Sequence, residues 1–298
     1  MMFDRIYIEI SNVCNLQCSF CPEVLRPKKW MTPDQFKIVI NKIKSYTQAV
    51  TLHVMGEPLA HPHFESFIQI LQEESVPLIL TSNGILLNRH KQLLLQPSHF
   101  QNSNIKQINF SIHSFFDNFP EKDIKSYLSF LVDFSKQFIA NNSDSFINFR
   151  LWNLPEINSQ LEPKNKLIYE VLEQLFVNPE LPKNLNVKSQ KSYRLDRHIK
   201  MHFDTQFEWP SLKSIESSPV GFCYGLKNQL AILTEGTVVP CCLDKEAVIN
   251  LGSIFDASLE SILETKRAKN IIQGFKQERA VEELCQKCQF KQRFQKNS

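Results

Sequence analysis

Apolar and polar positions along the chain follow two alternating periods. Ile6–Ser11 (Ile-Tyr-Ile-Glu-Ile-Ser) puts an apolar residue at every second position, the period of a strand with one buried face. Thr32-Pro33-Asp34 reads as a helix cap with proline in the first turn, opening a helix through Tyr46. Ala49–Val54 is a second strand that ends at Gly56, and Phe64–Glu74 is helical, with Phe64, Phe67, Ile68 and Leu71 on one stripe. The alternation continues with a strand over Pro77–Thr81, a helix over Leu86–Leu95, a strand over Lys106–His113 and a helix over Lys122–Ala140. Phe146–Trp152 is a fifth strand, Lys164–Phe176 a fifth helix and Arg197–Phe203 a sixth strand.

Such repetition predicts an α/β fold with a parallel sheet and helices outside it. Six units suit an open, partial (β/α)6 barrel, and a doubly wound sheet fits the pattern almost as well. Either fold gathers its functional loops at the carboxyl ends of the strands. The loop after the first strand, Gly56–Pro58, Asn83–Gly84, His113 and Trp152–Asn153 all fall at such ends.

That first loop carries Cys14, Cys18 and Cys21, spaced C-x3-C-x2-C. A [4Fe–4S] cube takes one thiolate per protein-held iron, so three thiolates leave one iron open for a small molecule. A structural zinc site pairs its ligands and closes the shell with four, and no fourth ligand lies nearby in sequence. Three unrelated buried cysteines are the remaining reading.

The triplet resembles the signature of the radical S-adenosylmethionine (SAM) superfamily. Phe20, one residue before the last cysteine, matches an aromatic usual in that family. Met55-Gly56-Glu57-Pro58 resembles its "GEP" segment, and Thr81-Ser82-Asn83-Gly84 its strand-end "TNG" segment. The resemblance implies the partial barrel and a cluster whose open iron is chelated by the amino and carboxylate groups of SAM. It also implies reductive cleavage of SAM to a 5′-deoxyadenosyl radical, which needs a flavodoxin- or ferredoxin-like reducing partner. Glu57, with Gly56 allowing close backbone approach, is the candidate for the SAM amino group. Arg150 alternates with Phe149 and Leu151, so it faces away from them; the SAM carboxylate or a salt bridge to Glu9 would satisfy it. Ser111 and Asn83 are candidates for the ribose or methionine portions, and His53, His113, Trp152 and Asn153 for the substrate side.

Composition shifts after about residue 210, giving a division into residues 1–210 and 211–298. The second part holds five of the eight cysteines, as Cys223-x17-Cys241-Cys242 and Cys285-x2-Cys288. Leu230–Thr234 and Thr237–Pro240 read as a hairpin turning at Glu235-Gly236, and Leu259–Thr265 as a short helix. Two pairs of sulfur ligands make either a zinc ribbon or a closed iron–sulfur site. The pattern resembles the short "twitch" form of the SPASM module, which binds one auxiliary [4Fe–4S] cluster. Gly236-x4-Cys241 fits that module, so the resemblance assigns Cys223, Cys241, Cys285 and Cys288 as ligands and leaves Cys242 out.

The remaining composition narrows the partners. With 42% hydrophobic residues the chain can pack a core, and no run approaches the ~20 apolar residues of a membrane span. The start, Met-Met-Phe-Asp-Arg, does not read as a signal peptide, so a cytoplasmic protein is expected. A net charge of +3 does not by itself point to nucleic acid, although Lys188, Lys191, Arg194, Arg197 and Lys200 cluster. None of the seven glycines lies between Gly84 and Gly221, and no phosphate-binding glycine fingerprint is present.

The leading expectation is a radical SAM oxidoreductase using the auxiliary cluster as electron acceptor for a net oxidation. Its substrate is a small molecule, a peptide or RNA. Modification of RNA or peptides is the second enzymatic reading, and a non-catalytic iron–sulfur or zinc protein the third.

Overall fold

The structure is a computed structural model, and it describes residues 2–96, 104–120, 123–155, 157–158, 162–177, 180–182 and 185–294. In chain order the elements begin β1 (Arg5–Ile8), α1 (Pro33–Ile43), β2 (Val50–Thr51), α2 (Phe64–Glu73), β3 (Leu78–Ser82) and α3 (Leu87–Leu95). They continue with β4 (Ile105–Ser111), α4 (Phe115–Asn118), α5 (Ile124–Asn141), β5 (Phe146–Leu154), β6 (Ile157–Asn158) and α6 (Pro163–Leu175). The last third holds β7 (Leu185–Asn186), β8 (Ser192–Asp196), β9 (Ile199–Thr205), β10 (Gln229–Ile232), β11 (Val238–Val239), α7 (Leu259–Leu263), α8 (Lys266–Lys276) and α9 (Glu283–Gln286).

The chain divides into two compact units: one of Met1–Asn15, Pro22–Pro77 and Phe207–Ser298, the other of Leu16–Cys21 and Leu78–Gln206. In the first, β1 pairs in parallel with β2 on one side and with β10 on the other. β11 then turns back antiparallel on β10, Ala231 opposite Val239. Segment 207–298 thus adds strands directly to the sheet begun at residue 5. The hairpin turn needs glycine at Gly236, where φ is +89° and a Cβ would sit 2.4 Å from the Phe255 ring. Helix α1 starts on a capping box, with Thr32 Oγ1 accepting from the Gln35 N–H and the Gln35 side chain accepting from the Thr32 N–H. It buries Phe36, Val39, Ile40 and Ile43, a stripe of one helical turn and the next.

In the second unit β3, β4, β5 and β9 run parallel, and β8 returns antiparallel along β9. The period-two alternation separates two faces. Ile108, Phe110, Ile147, Phe149, Leu151, Met201 and Phe203 are buried and give one face its apolar character. The other carries polar rows in register: Thr81, Asn109, Asn148 and Lys200, then Ser111, Arg150 and His202. Buried Asn109 is fully employed there, donating to the Leu80 carbonyl and to Thr81 while accepting from Gln107 and Asn148.

Element boundaries mostly fall within two residues of expectation; the first strand, expected through Ser11, ends at Ile8, and three further differences stand out. The second strand shrinks to Val50–Thr51, because the chain leaves the ladder on its way to Gly56. The fourth ends at Ser111, and Ile112–Ser114 winds into a 3-10 turn leading to α4. The sixth strand gains an antiparallel companion, β8, that the sequence pattern did not reveal. The expected helix start at Lys122 lies outside the described residues. Among the described residues no helix is long and apolar enough to cross a membrane.

Glu9, immediately after β1, has no exposed surface, and its carboxylate gathers several donors. Arg26 Nη2 reaches both oxygens at 2.8 and 2.7 Å, Thr234 donates from Oγ1 at 2.8 Å and from its N–H at 3.2 Å, and the Met55 N–H lies at 3.3 Å. Removing one partner of a buried pair strands the other charge, which costs about 3–5 kcal/mol. Arg26→Met is expected to lower unfolding stability by about that amount in urea titrations; a loss below about 1 kcal/mol would contradict the role given to this pair.

Candidate functional site

The base of the cysteine loop is laced shut. Asn12 donates to the Pro27 carbonyl at 2.9 Å and accepts from the Lys29 N–H at 2.8 Å, and Ser11 bridges to Trp30. With Glu9 and Arg26 paired just outside, residues 12–25 form a closed excursion bearing the triplet. Cys14 and Cys21 are exposed and Cys18 is half-buried. The Gly56–Glu57 segment packs against the start of this excursion, with the Glu57 N–H donating to the Val13 carbonyl at 3.0 Å. Gly56 has φ +77°, and a Cβ there would lie 2.3 Å from the Ser11 carbonyl oxygen. Only glycine permits that approach.

Glu57 is buried, and its Oε1 accepts from the Leu59 N–H at 3.0 Å, capping the 3-10 turn Pro58–Ala60. Asn83 Oδ1 accepts from the Ile85 N–H, and the Asn83 carbonyl accepts from the Tyr127 hydroxyl at 2.7 Å. Ser111 and Arg150 stand side by side on the polar face of the second unit. The salt bridge between Arg150 and Glu9 considered from sequence is replaced by Arg26 as the partner of Glu9. Arg150 instead lies over the Trp152 ring at 4.4 Å, and Trp152 Nε1 donates to His202 Nδ1 at 2.9 Å. His53 bonds Thr51 Oγ1 through Nδ1 at 2.9 Å, His113 Nδ1 pairs with the Arg150 carbonyl at 3.0 Å, and Asn153 donates to Asn165 at 3.2 Å.

Two residues that the sequence reading missed hold the cysteine loop from α4. Asp117 accepts from both the Ser19 N–H and its hydroxyl. Asn118 accepts from the Gln17 N–H at 2.8 Å and donates to Cys18 Sγ at 3.3 Å. Burial raises the Cys18 thiol above its usual range, and the Asn118 hydrogen bond opposes that rise. No local signal in Asp-Asn at 117–118 could have announced contacts a hundred residues away in sequence.

The second constellation gathers in the first unit. Cys223, Cys241, Cys285 and Cys288 are all partly buried, and burial raises each thiol. Their mutual charge adds to it: Cys223 acts on Cys241 and Cys285, and Cys288 on Cys223 and Cys285. The adjacent Cys241 and Cys242 lie in a bend past β11 rather than on the strand itself. Cys242 acts on Cys241 by its charge, and Cys223 on Cys242. Cys242 bonds the Tyr7 side chain and packs against the apolar group of Val54, Met55, Ala231, Leu233 and Val239.

A model of the radical SAM superfamily matches residues 8–148, and a model of an iron–sulfur cluster-binding domain, SPASM, matches residues 223–289. Residues 8–148 belong to the radical SAM superfamily. Similar solved structures include BtrN in complex with AdoMet and 2-DOIA, at 16% identity, TM-score 0.54, 97% of this chain and 94% of that one. SuiB of Streptococcus suis bound to precursor peptide SuiA is similar at 14% identity and TM-score 0.58, covering 96% of this chain and 70% of that one. anSMEcpe with bound AdoMet and Cp18Cys peptide is similar at 14% identity and TM-score 0.54, with 96% and 86% covered. At these identities the likeness shows the fold: a partial (β/α)6 barrel with a small carboxy-terminal iron–sulfur domain. A curated relative, the S-adenosyl-L-methionine-dependent 2-deoxy-scyllo-inosamine dehydrogenase of Niallia circulans, is 25% identical over 103 residues. That match spans 32% of this chain and 41% of the relative's length.

The radical SAM match implies SAM and a [4Fe–4S] cluster that binds it, and the SPASM match an auxiliary iron–sulfur cluster. The donor sets present fit these groups. Among the described residues no three His, Cys, Asp or Glu side chains converge closely enough for a single metal ion. The carboxy-terminal thiols, Cys242 included, are nonetheless near enough to feel each other's charge. A cube gives each thiolate its own iron and so takes sulfurs that share a neighbourhood without meeting at one point.

Cys242→Ala is expected to keep about eight irons per chain, two cubes of four, and Cys241→Ala to open or lose one cube. Iron and sulfide analysis of the reconstituted variants checks this, and the reverse pattern would exchange the two roles.

Burial holds His61, His113 and His202 down to about 4. An unfolded histidine titrates near 6.5, so between about pH 6.5 and about 4 the unfolded chain binds protons that the folded chain refuses. Folding stability is therefore expected to be full above about 6.5 and to fall on acidification through that window. Denaturant midpoints that stay level from pH 7 to pH 4.5 would contradict it.

Proposed function

We propose that this protein is a radical SAM oxidoreductase that carries out a net oxidation, with residues 1–210 holding SAM and residues 211–298 holding an electron-accepting cluster. The observation that carries the reading is the divergence of the two cysteine sets. One is a loop triplet with Cys14 and Cys21 exposed and Cys18 half-buried; the other is a half-buried four whose extra neighbour, Cys242, packs against the apolar core.

What the bound cluster and SAM supply is reductive cleavage of a carbon–sulfur bond, the 5′-deoxyadenosyl fragment then taking a hydrogen atom from the substrate. Cys14, Cys18 and Cys21 hold three irons and leave the fourth for the SAM amino and carboxylate groups. Gly56 lets the backbone come close to the base of that loop, and Glu57 presents a buried carboxylate beside it. Arg150 and Ser111, adjacent on the polar face, offer charge and a hydroxyl to the carboxylate and ribose; Asn83, at the end of β3, offers an amide. Cys223, Cys241, Cys285 and Cys288 close the second cluster, leaving no iron for substrate. That set therefore suits removal of one electron from a substrate radical whose proton leaves to a base. The dehydrogenase name of the Niallia circulans relative supports an oxidation of this kind. A flavodoxin- or ferredoxin-like protein is the proposed source of the initiating electron.

Anaerobic reconstitution with SAM and dithionite, followed by assay for 5′-deoxyadenosine, tests the reading. The intact chain should form it, and Cys14→Ala, Cys18→Ala and Cys21→Ala combined should abolish it while retaining about four irons. Undiminished cleavage in that variant would sink the assignment. Glu57→Gln keeps an acceptor for Leu59 but removes the charge. Losing a charge-assisted hydrogen bond of about 1.5–3 kcal/mol should weaken SAM binding about tenfold or more by equilibrium dialysis. Unchanged binding with reduced turnover would move Glu57 to the substrate pocket.

A further inference from the structure

Lys291 is a buried ammonium with an unusual set of neighbours. Only 5% of the residue is exposed, and Nζ donates to three backbone carbonyls, those of Ser218, Cys285 at 3.2 Å and Gln286 at 2.7 Å. Its stem passes Gly221, where a Cβ would lie 3.1 to 3.4 Å from Cδ, Cε and Cγ. The missing side chain at Gly221 leaves room for the lysine to reach inward.

No Asp or Glu among the described residues lies within ion-pair distance of Nζ. The carbonyls satisfy its three donors, but they supply no countercharge, and a buried charge without one is costly. Of its three acceptors, the Cys285 carbonyl belongs to one of the four proposed ligands of the second cluster, and another of those ligands, Cys288, lies three residues before Lys291. The ammonium is therefore fixed against the segment that carries Cys285 and Cys288.

We infer that Lys291 is a positioning and charge-setting residue for the auxiliary cluster, its buried ammonium favouring the one-electron-reduced form. The inference rests on the reading of Cys223, Cys241, Cys285 and Cys288 as iron ligands. Four thiolates give the cube a net negative charge, and reduction adds one more unit. A fixed positive charge in a medium of low dielectric stabilises the more negative state more strongly, which raises the reduction potential. The lysine takes up no proton or electron itself. Its effect makes the cluster on the half-buried four a better acceptor for the electron that a substrate radical gives up. A lysine serving only to cap the carbonyls of Cys285 and Gln286 would hold the fold and leave the potential alone.

The experiment uses the full chain carrying Cys14→Ala, Cys18→Ala and Cys21→Ala, so that the second cluster alone gives a signal. Its reduction is followed by electron paramagnetic resonance in a potentiometric titration, with Lys291, Lys291→Arg, Lys291→Gln and Lys291→Met compared. Lys291→Arg should hold the midpoint, whereas Lys291→Gln and Lys291→Met should shift it to more negative potential at undiminished iron content. Equal midpoints in all four proteins, with iron retained, would overturn the inference and leave the ligand assignment standing. Loss of iron from both neutral variants with an unshifted residual signal would make Lys291 a structural cap and also overturn it. Zinc, or no iron signal, in the parent variant would overturn the ligand assignment itself.

Discussion

A carboxylate removed from water must find countercharge and donors, and Glu9 finds its own in segments far apart in sequence. Arg26 comes from the return of the cysteine loop, Met55 precedes Gly56-Glu57, and Thr234 begins the turn between β10 and β11. Arg26 extends the connection further, to Glu235 at 2.8 Å and to the Lys245 carbonyl at 2.6 Å. Glu246 accepts from the N–H groups of Leu25 and Arg26. The segment returning from Cys21 is thereby gripped by the segment that carries Cys241 and Cys242. Because breaking one member leaves a stranded buried charge, the network fixes geometry more firmly than a set of surface pairs would.

From that anchor the two cysteine sets acquire different environments. The triplet lies on an excursion fastened at its base and clasped through Gln17, Ser19 and Cys18 by Asp117 and Asn118, so its thiols remain open to a ligand. The carboxy-terminal four are half-buried, and the buried ammonium of Lys291 donates to the Cys285 carbonyl among them. Loop against core thus sets the two groups of thiols apart, before any cluster chemistry is considered.

The alternation of apolar and polar residues made the parallel strands legible, because each has one helix-covered face. Ser111, Arg150 and His202 could be placed on a common polar row from period two alone. Thr32-Pro33 with Gln35 announced its helix through local capping chemistry. What was not legible was long-range. The partner of Glu9 is Arg26, whose position on a loop carries no periodic signal. Strand β8 is five residues long and only Tyr193 and Leu195 mark its inner face, too short an alternation to read from sequence. β10 reads as half of a hairpin, but only the fold shows its second edge paired with β1. Lys291 sits in a polar carboxy-terminal run where sequence suggests only solvated charge, and its burial depends on room left by Gly221.

The central claim is that one cluster has an open iron for SAM and the other does not. Electron paramagnetic resonance of the reconstituted, dithionite-reduced full chain, recorded with and without SAM, tests it most directly. The account predicts two cluster signals, of which SAM alters one, and the altered one is missing when Cys14, Cys18 and Cys21 are replaced by alanine. A spectrum that SAM leaves unchanged, or a SAM-sensitive signal that survives those replacements, would contradict it.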